Sequence, residues 1–160
     1  MSAPVSEPSA SPVEPTPISD ARRSAARYFL VLALLATVGS ALAPWGQGTR
    51  PHPLGGLQVT EALNAFGGAV KILGVWIPSE YLFGIGVVGL LSAGLRVTAG
   101  VPRATLPTCL VPALGLLLGI GAFIWVASTG YVAVGLPLLL VANLLALLGV
   151  LIVHASSARA

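Results

Sequence analysis

A chain of 160 residues that is 56% hydrophobic and only 8% charged, with mean hydropathy +0.93, falls far below the roughly one-quarter charged content of soluble domains. The membrane class is what remains. Eight basic residues against five acids leave a net charge of +3, with the basic residues grouped around apolar runs rather than on a nucleic-acid-binding stripe, so no nucleic-acid partner is expected.

Prolines at 4, 8, 12, 15 and 17 stand among Ser, Ala, Val and Glu, with too little apolar surface to offset the entropy of ordering. Residues 1–24 are therefore expected to form a disordered cytoplasmic tail. Arg22, Arg23 and Arg27 then precede an uncharged run, which reads as a first span at about 28–45 that begins in the cytoplasm. The same arrangement imitates a secretory signal, with Ala41, Leu42 and Ala43 as a cleavage triplet. Pro44 directly after the cut and the length of the preceding tail favour an uncleaved helix. A twin-arginine signal is discounted because Ser24, Ala25 and Ala26 follow where bulky apolar residues would be needed.

Residues 46–74 form an outer loop with its own organisation. Pro44, Gly46, Gly48, Pro51, Pro53, Gly55 and Gly56 make a turn-rich start. Over 57–73 the apolar residues Val59, Ala62, Leu63, Phe66, Val70 and Leu73 recur at helical spacing, with Glu61, Asn64, Gly68 and Lys71 opposite. This predicts an amphipathic helix lying in the headgroup region or capping the bundle, weakened by Gly67 and Gly68.

The second uncharged run, 81–95, has fifteen residues, whereas about twenty are needed to cross the hydrocarbon core. Borrowing Trp76, Pro78 and Glu80 from upstream predicts a span at about 75–95, since proline is tolerated in a first helical turn. Arg96 would close its cytoplasmic end by snorkelling. Between Arg103 and Arg159 there is no Asp, Glu, Lys or Arg. That length crosses a bilayer twice, with spans at about 106–126 and 131–153, a turn at 128–130, and a short cytoplasmic tail at 156–160.

Topology follows from two signals. Four spans with a cytoplasmic amino terminus put Arg22, Arg23, Arg27, Arg96, Arg103 and Arg159 inside, and only Arg50 and Lys71 outside. The same arrangement puts Trp45, Trp76, Tyr81, Trp125 and Tyr131 at the outer interface as anchors of an aromatic belt. The fold class is thus all-α: an integral membrane four-helix bundle over 25–155 with a disordered amino-terminal tail and an outer amphipathic helix. Short loops and the Ala, Leu and Gly bias point to a bacterial cytoplasmic (inner) membrane, with both termini cytoplasmic.

Helix association in lipid depends on small residues that let backbones approach. The first span offers Ala33, Ala36, Ser40 and Ala43, the second Gly89 and Ala93, the third Gly115 and Gly119 as a GxxxG pair, and the fourth Gly135, Ala142 and Gly149 seven apart. These seams are read as packing within the chain rather than a dimer face. Cys109, the single cysteine, reads as a small packing residue, and without a second thiol neither an internal disulfide nor thiol exchange by a cysteine pair is available.

Two polar residues are candidates for more. Glu80, if embedded, could couple protons or cations to transport. The simpler reading is an interfacial acid at a helix start, favoured by the helix dipole. Asn143, near the middle of the fourth span, reads as a polar contact to a neighbouring helix, with a substrate path as the sharper alternative. His52 and His154 fall on opposite sides of the membrane, so they cannot share a metal. No Walker loop, nucleophile elbow, HExxH or paired carboxylates are present.

No catalytic role, cofactor or metal is expected. The reading is a small, non-enzymatic multi-pass membrane protein, an accessory or structural subunit whose partners are the lipid bilayer and other membrane-protein subunits or a second copy. The alternative is a small oligomeric transporter or channel using Glu80.

Overall fold

A computed structural model describes residues 20–51, 55–99 and 105–157. Most of the proline-rich tail, His52, Arg103 and Arg159 lie outside them. Four helices are long and apolar enough to cross a membrane: α1 (Asp20–Leu42), α2 (Ser79–Ala99), α3 (Thr105–Thr129) and α4 (Gly135–Ser157). Between them run five strands, β1 (Gly46–Pro51), β2 (Gln58–Leu63), β3 (Ala69–Ile72), β4 (Val75–Pro78) and β5 (Tyr131–Val132). All the strands gather at one end of the bundle, called here the sheet end; the other, where α1 begins, is the far end.

The amphipathic helix expected over 57–73 does not form. Those residues are β2, a turn and β3. The helical spacing of Val59, Leu63, Phe66 and Val70 coexists with a two-residue alternation of Val59, Glu61 and Leu63, and turn chemistry decides between them. The amide of Asn64 donates to Gly67 O (3.0 Å), and that of Phe66 to Asn64 Oδ1 (2.8 Å). Gly68 has φ +96°, a conformation helices do not use. Each glycine would also cost a helix about 1 kcal/mol. The strands, in contrast, satisfy their backbone groups by pairing. β1 pairs antiparallel with β2, from Gly46 opposite Leu63 to Pro51 opposite Gln58, and on its other side with β5, giving the order β2-β1-β5.

β3 and β4 form a separate hairpin in which Lys71 faces Trp76. Its two-residue turn, Leu73 and Gly74, has φ of +50° and +87°, the sign pattern of a type I′ hairpin turn. Because β4 takes residues 75–78, the second span does not extend upstream as expected. α2 gains its length at the other end, continuing past Arg96 to Ala99. α1 likewise starts upstream of the expected boundary, so residues 20–24 belong to the helix rather than to the tail. α4 begins at Gly135, since Tyr131 and Val132 are spent on β5; Pro137 then sits in its first turn, where its missing amide costs nothing.

The interior changes character along the bundle. At the sheet end Trp45, Leu63, Val70, Leu82, Val126, Leu136 and Leu139 make one cluster of large side chains. In the middle the core is Ala33, Ala93, Ala146 and Val150, with Cys109 packed against it, and at the far end Ala26, Val97 and Val153. Alanines bring the helices close, and α1 packs most extensively on α4.

Candidate functional site

The sheet end is where backbone, aromatic and polar groups converge. Trp45 was expected as an interface anchor; it is instead fully buried, at 0% exposure. Its amide donates to Leu63 O (2.8 Å), and its carbonyl accepts from Ala133 N–H (3.0 Å). Those two bonds hold its backbone between the β1–β2 ladder and the α3–α4 connection, leaving the indole to fill the top of the bundle. The indole N–H donates to Ser40 O (3.1 Å), so the buried polar atom is satisfied. Gly135 is required by this plug: a methyl there would lie 2.6 Å from Ala43 O and from Trp45 Cδ1.

The other four aromatic positions also lie at the sheet end. Trp76 on the hairpin meets Trp125 of α3 edge to face, with ring centroids 5.4 Å apart, and Lys71 Nζ lies 5.9 Å from the Trp76 ring centroid, within the range of a cation–π contact. Gly48 lets β1 pass under Trp125, whose ring would lie 2.5 Å from an added methyl. Tyr81 and Tyr131 are exposed. Arg50 Nε and Glu61 Oε2 form an ion pair across β1 and β2 at 3.1 Å.

Ser79 ties the span to the strands. It is buried, its amide donates to Gly68 O (3.0 Å), and its hydroxyl reaches Gly67 O (2.8 Å). Glu80 follows it, exposed in the first turn of α2, where the helix dipole favours an acid.

Deeper in the bundle, Asn143 is 2% exposed. Its Nδ2 donates to Leu139 O one turn earlier in α4 (2.9 Å), while Oδ1 has no hydrogen-bond partner among the described residues. Two glycines make its room. A methyl on Gly115 of α3 would run into Oδ1, and one on Gly86 of α2 would lie 3.2 Å from Nδ2. Gly119 faces Leu140 of α4, Gly89 abuts Pro112 of α3, and Gly149 faces Ala26 and Leu30 of α1. The small residues therefore lie on contacts between helices of one chain. Ala36, Ser40, Ala93 and Ala142 are buried as well.

Arg96 departs from expectation. Instead of snorkelling it is 4% exposed, and its Nε and Nη1 have no hydrogen-bond partner among the described residues. Its neighbours on α2 explain the inward aim: Ala93 and Val97 are buried with it, while Leu91, Leu95 and Thr98 face outward. Glu80, Asn143 and Arg96 thus sit at three separate depths and do not meet. His154 is exposed in the last turn of α4, and no group of three potential metal ligands occurs among the described residues.

Several apolar residues are left uncovered on the sheet end: Leu57, Phe66, Leu73, Val75 and Val134. Leu73 is fully exposed (100%) at the hairpin tip, in a left-handed conformation that costs a branched side chain about 1–2 kcal/mol. Among the described residues β2 has one strand neighbour, β1, and its other edge pairs with none. Sequence reasoning singled out this outer segment but missed its strands, whose one available signal was the β-branched content of 57–60 and 70–77. Comparison with protein-family models, curated proteins and solved structures finds no match to this chain.

Proposed function

We propose that this chain is a non-catalytic accessory or structural subunit of a membrane assembly, crossing the membrane four times and presenting its sheet end to a partner subunit. The observation that carries this reading is the set of uncovered apolar residues at the sheet end, together with a β2 edge that pairs with no strand among the described residues. Apolar residues outside the spans cost solubility unless something covers them, and an open strand edge takes a strand from another chain by backbone pairing. A leucine kept at positive φ and full exposure is poorly explained by folding alone.

Arg22, Arg23, Arg27 and Arg96 at the far end against Arg50 and Lys71 at the sheet end support cytoplasmic termini and an outward-facing sheet. A bacterial inner membrane remains our assignment from composition. The separation of Glu80, Asn143 and Arg96 favours a subunit over a transporter.

The test is affinity purification of the full chain in mild detergent. A stoichiometric membrane partner is expected with the wild type and should be lost in Leu73→Asp with a melting temperature no lower than the wild type. A chain that purifies alone, combined with vesicle flux abolished by Glu80→Gln, would replace this reading with transport.

A further inference from the structure

A long groove opens on the lipid-facing side between α1 and α2, because α1 packs far more closely on α4, where Ala26 and Leu30 meet Gly149, than on α2. Its main part, about 400 Å³, is walled by Leu30, Val31 and Leu34 of α1 and by Leu91, Gly94 and Leu95 of α2. Thr98, also in the wall, turns its hydroxyl back to Gly94 O (2.8 Å), so the surface presented there is apolar. Val31 also borders a second hollow of about 250 Å³ nearer the far end, whose described wall is Ser24, Arg27, Tyr28 and Val31 of α1.

From Ser24 to Leu34 the groove follows α1 for about 15 Å at 1.5 Å per residue. That is half of a hydrocarbon core about 30 Å thick, the depth of one leaflet. Its apolar end is therefore near the membrane centre and its polar end at the headgroup level. Among the described side chains the charge there has one sign, although Asp20 opens α1 at the same end. Glu61 and Glu80, the acids with described side chains, both stand at the sheet end. Arg27 is exposed, one turn beyond Arg23, and lines the hollow together with Ser24 and Tyr28.

From this geometry we infer that the α1–α2 groove is a binding site for an anionic phospholipid of the far-end leaflet, one acyl chain lying along Gly94 and the phosphate held by Arg27 with Ser24 and Tyr28. A guanidinium offers a phosphate two parallel donors, and the acyl chain fills a space that protein side chains leave open. Gly94 marks that space: nothing lies within 4 Å of where its methyl would be.

The inference depends on the chain crossing a bilayer and not on the partner proposed above. Native mass spectrometry of the full chain in mild detergent, with equal amounts of phosphatidylglycerol and phosphatidylcholine, tests it. One phosphatidylglycerol should be retained in preference to phosphatidylcholine. Arg27→Gln should lower that preference about fivefold, and Arg27→Lys should restore part of it. Gly94→Leu should fill the groove and abolish retention of both lipids, with a melting temperature no lower than the wild type. Equal retention of the two lipids by the wild type, or undiminished retention by Gly94→Leu, would overturn the site. A Gly94→Leu chain that changes from dimer to monomer without losing lipid would assign the groove to a second copy instead.

Discussion

The sheet end and the far end are built on opposite principles from the same kind of sequence. At the sheet end a tryptophan and several leucines fill a wide space, and the backbone of three distant segments is tied above them by hydrogen bonds. From the middle of the bundle to the far end alanines and valines let the helices touch, and no strand closes the far end among the described residues. The difference shows what each solvent demands. Within hydrocarbon every backbone group is already satisfied by the helix, so close packing is the remaining source of stability. Outside it, the connections must satisfy their own backbone groups, and a small sheet does so.

The largest expected effect follows from removing the plug that joins the two regimes. Trp45→Ala should cost about 3–5 kcal/mol, seen as a strongly lowered melting temperature in detergent and faster amide exchange in β1 and β5. A loss under about 0.5 kcal/mol, the range of a surface change, would mean that the indole is not the support of the sheet.

A smaller effect probes the glycine-lined pocket between α2, α3 and α4. Gly115→Ala should destabilise by about 1–3 kcal/mol through overpacking against Asn143, and combining it with Asn143→Ala should recover much of that loss. Additive penalties in the double variant would show that the amide does not fill the space Gly115 leaves.

The smallest effect has two signs. Leu73→Asn should raise stability by up to about 1 kcal/mol, because asparagine tolerates positive φ better than leucine, yet it should weaken capture of the partner subunit. Stability and capture falling together would make Leu73 a structural residue and remove the contrast between a rigid platform and its exposed tip.

The spans were legible because hydrocarbon excludes charge over a known length, a condition visible in any stretch such as 104–158. The seams were legible at Ala93 and Gly115 because small residues inside an apolar helix have few other uses. The strands were hidden, since 57–73 carries both a 3.6-residue and a two-residue pattern, and a short strand declares itself only through a partner elsewhere in the chain. The position of Trp45 was hidden for a related reason: an aromatic residue at the end of a span looks like a belt residue until Leu63 and Ala133 pull its backbone inward. The inward turn of Arg96 was equally invisible, because a charge near a helix end usually reaches water, and only its place beside Ala93 and Val97 puts it in the bundle.

What the sequence determined by itself was which four segments are long and apolar enough to cross a membrane. Partition between water and lipid depends on each segment's own composition, and no neighbour is needed to evaluate it. The tertiary structure alone decided the sheet, the buried tryptophan and the α1–α2 groove. Each of these depends on which backbone edges and side chains face one another across many residues, and that information belongs to pairs of segments rather than to any one of them.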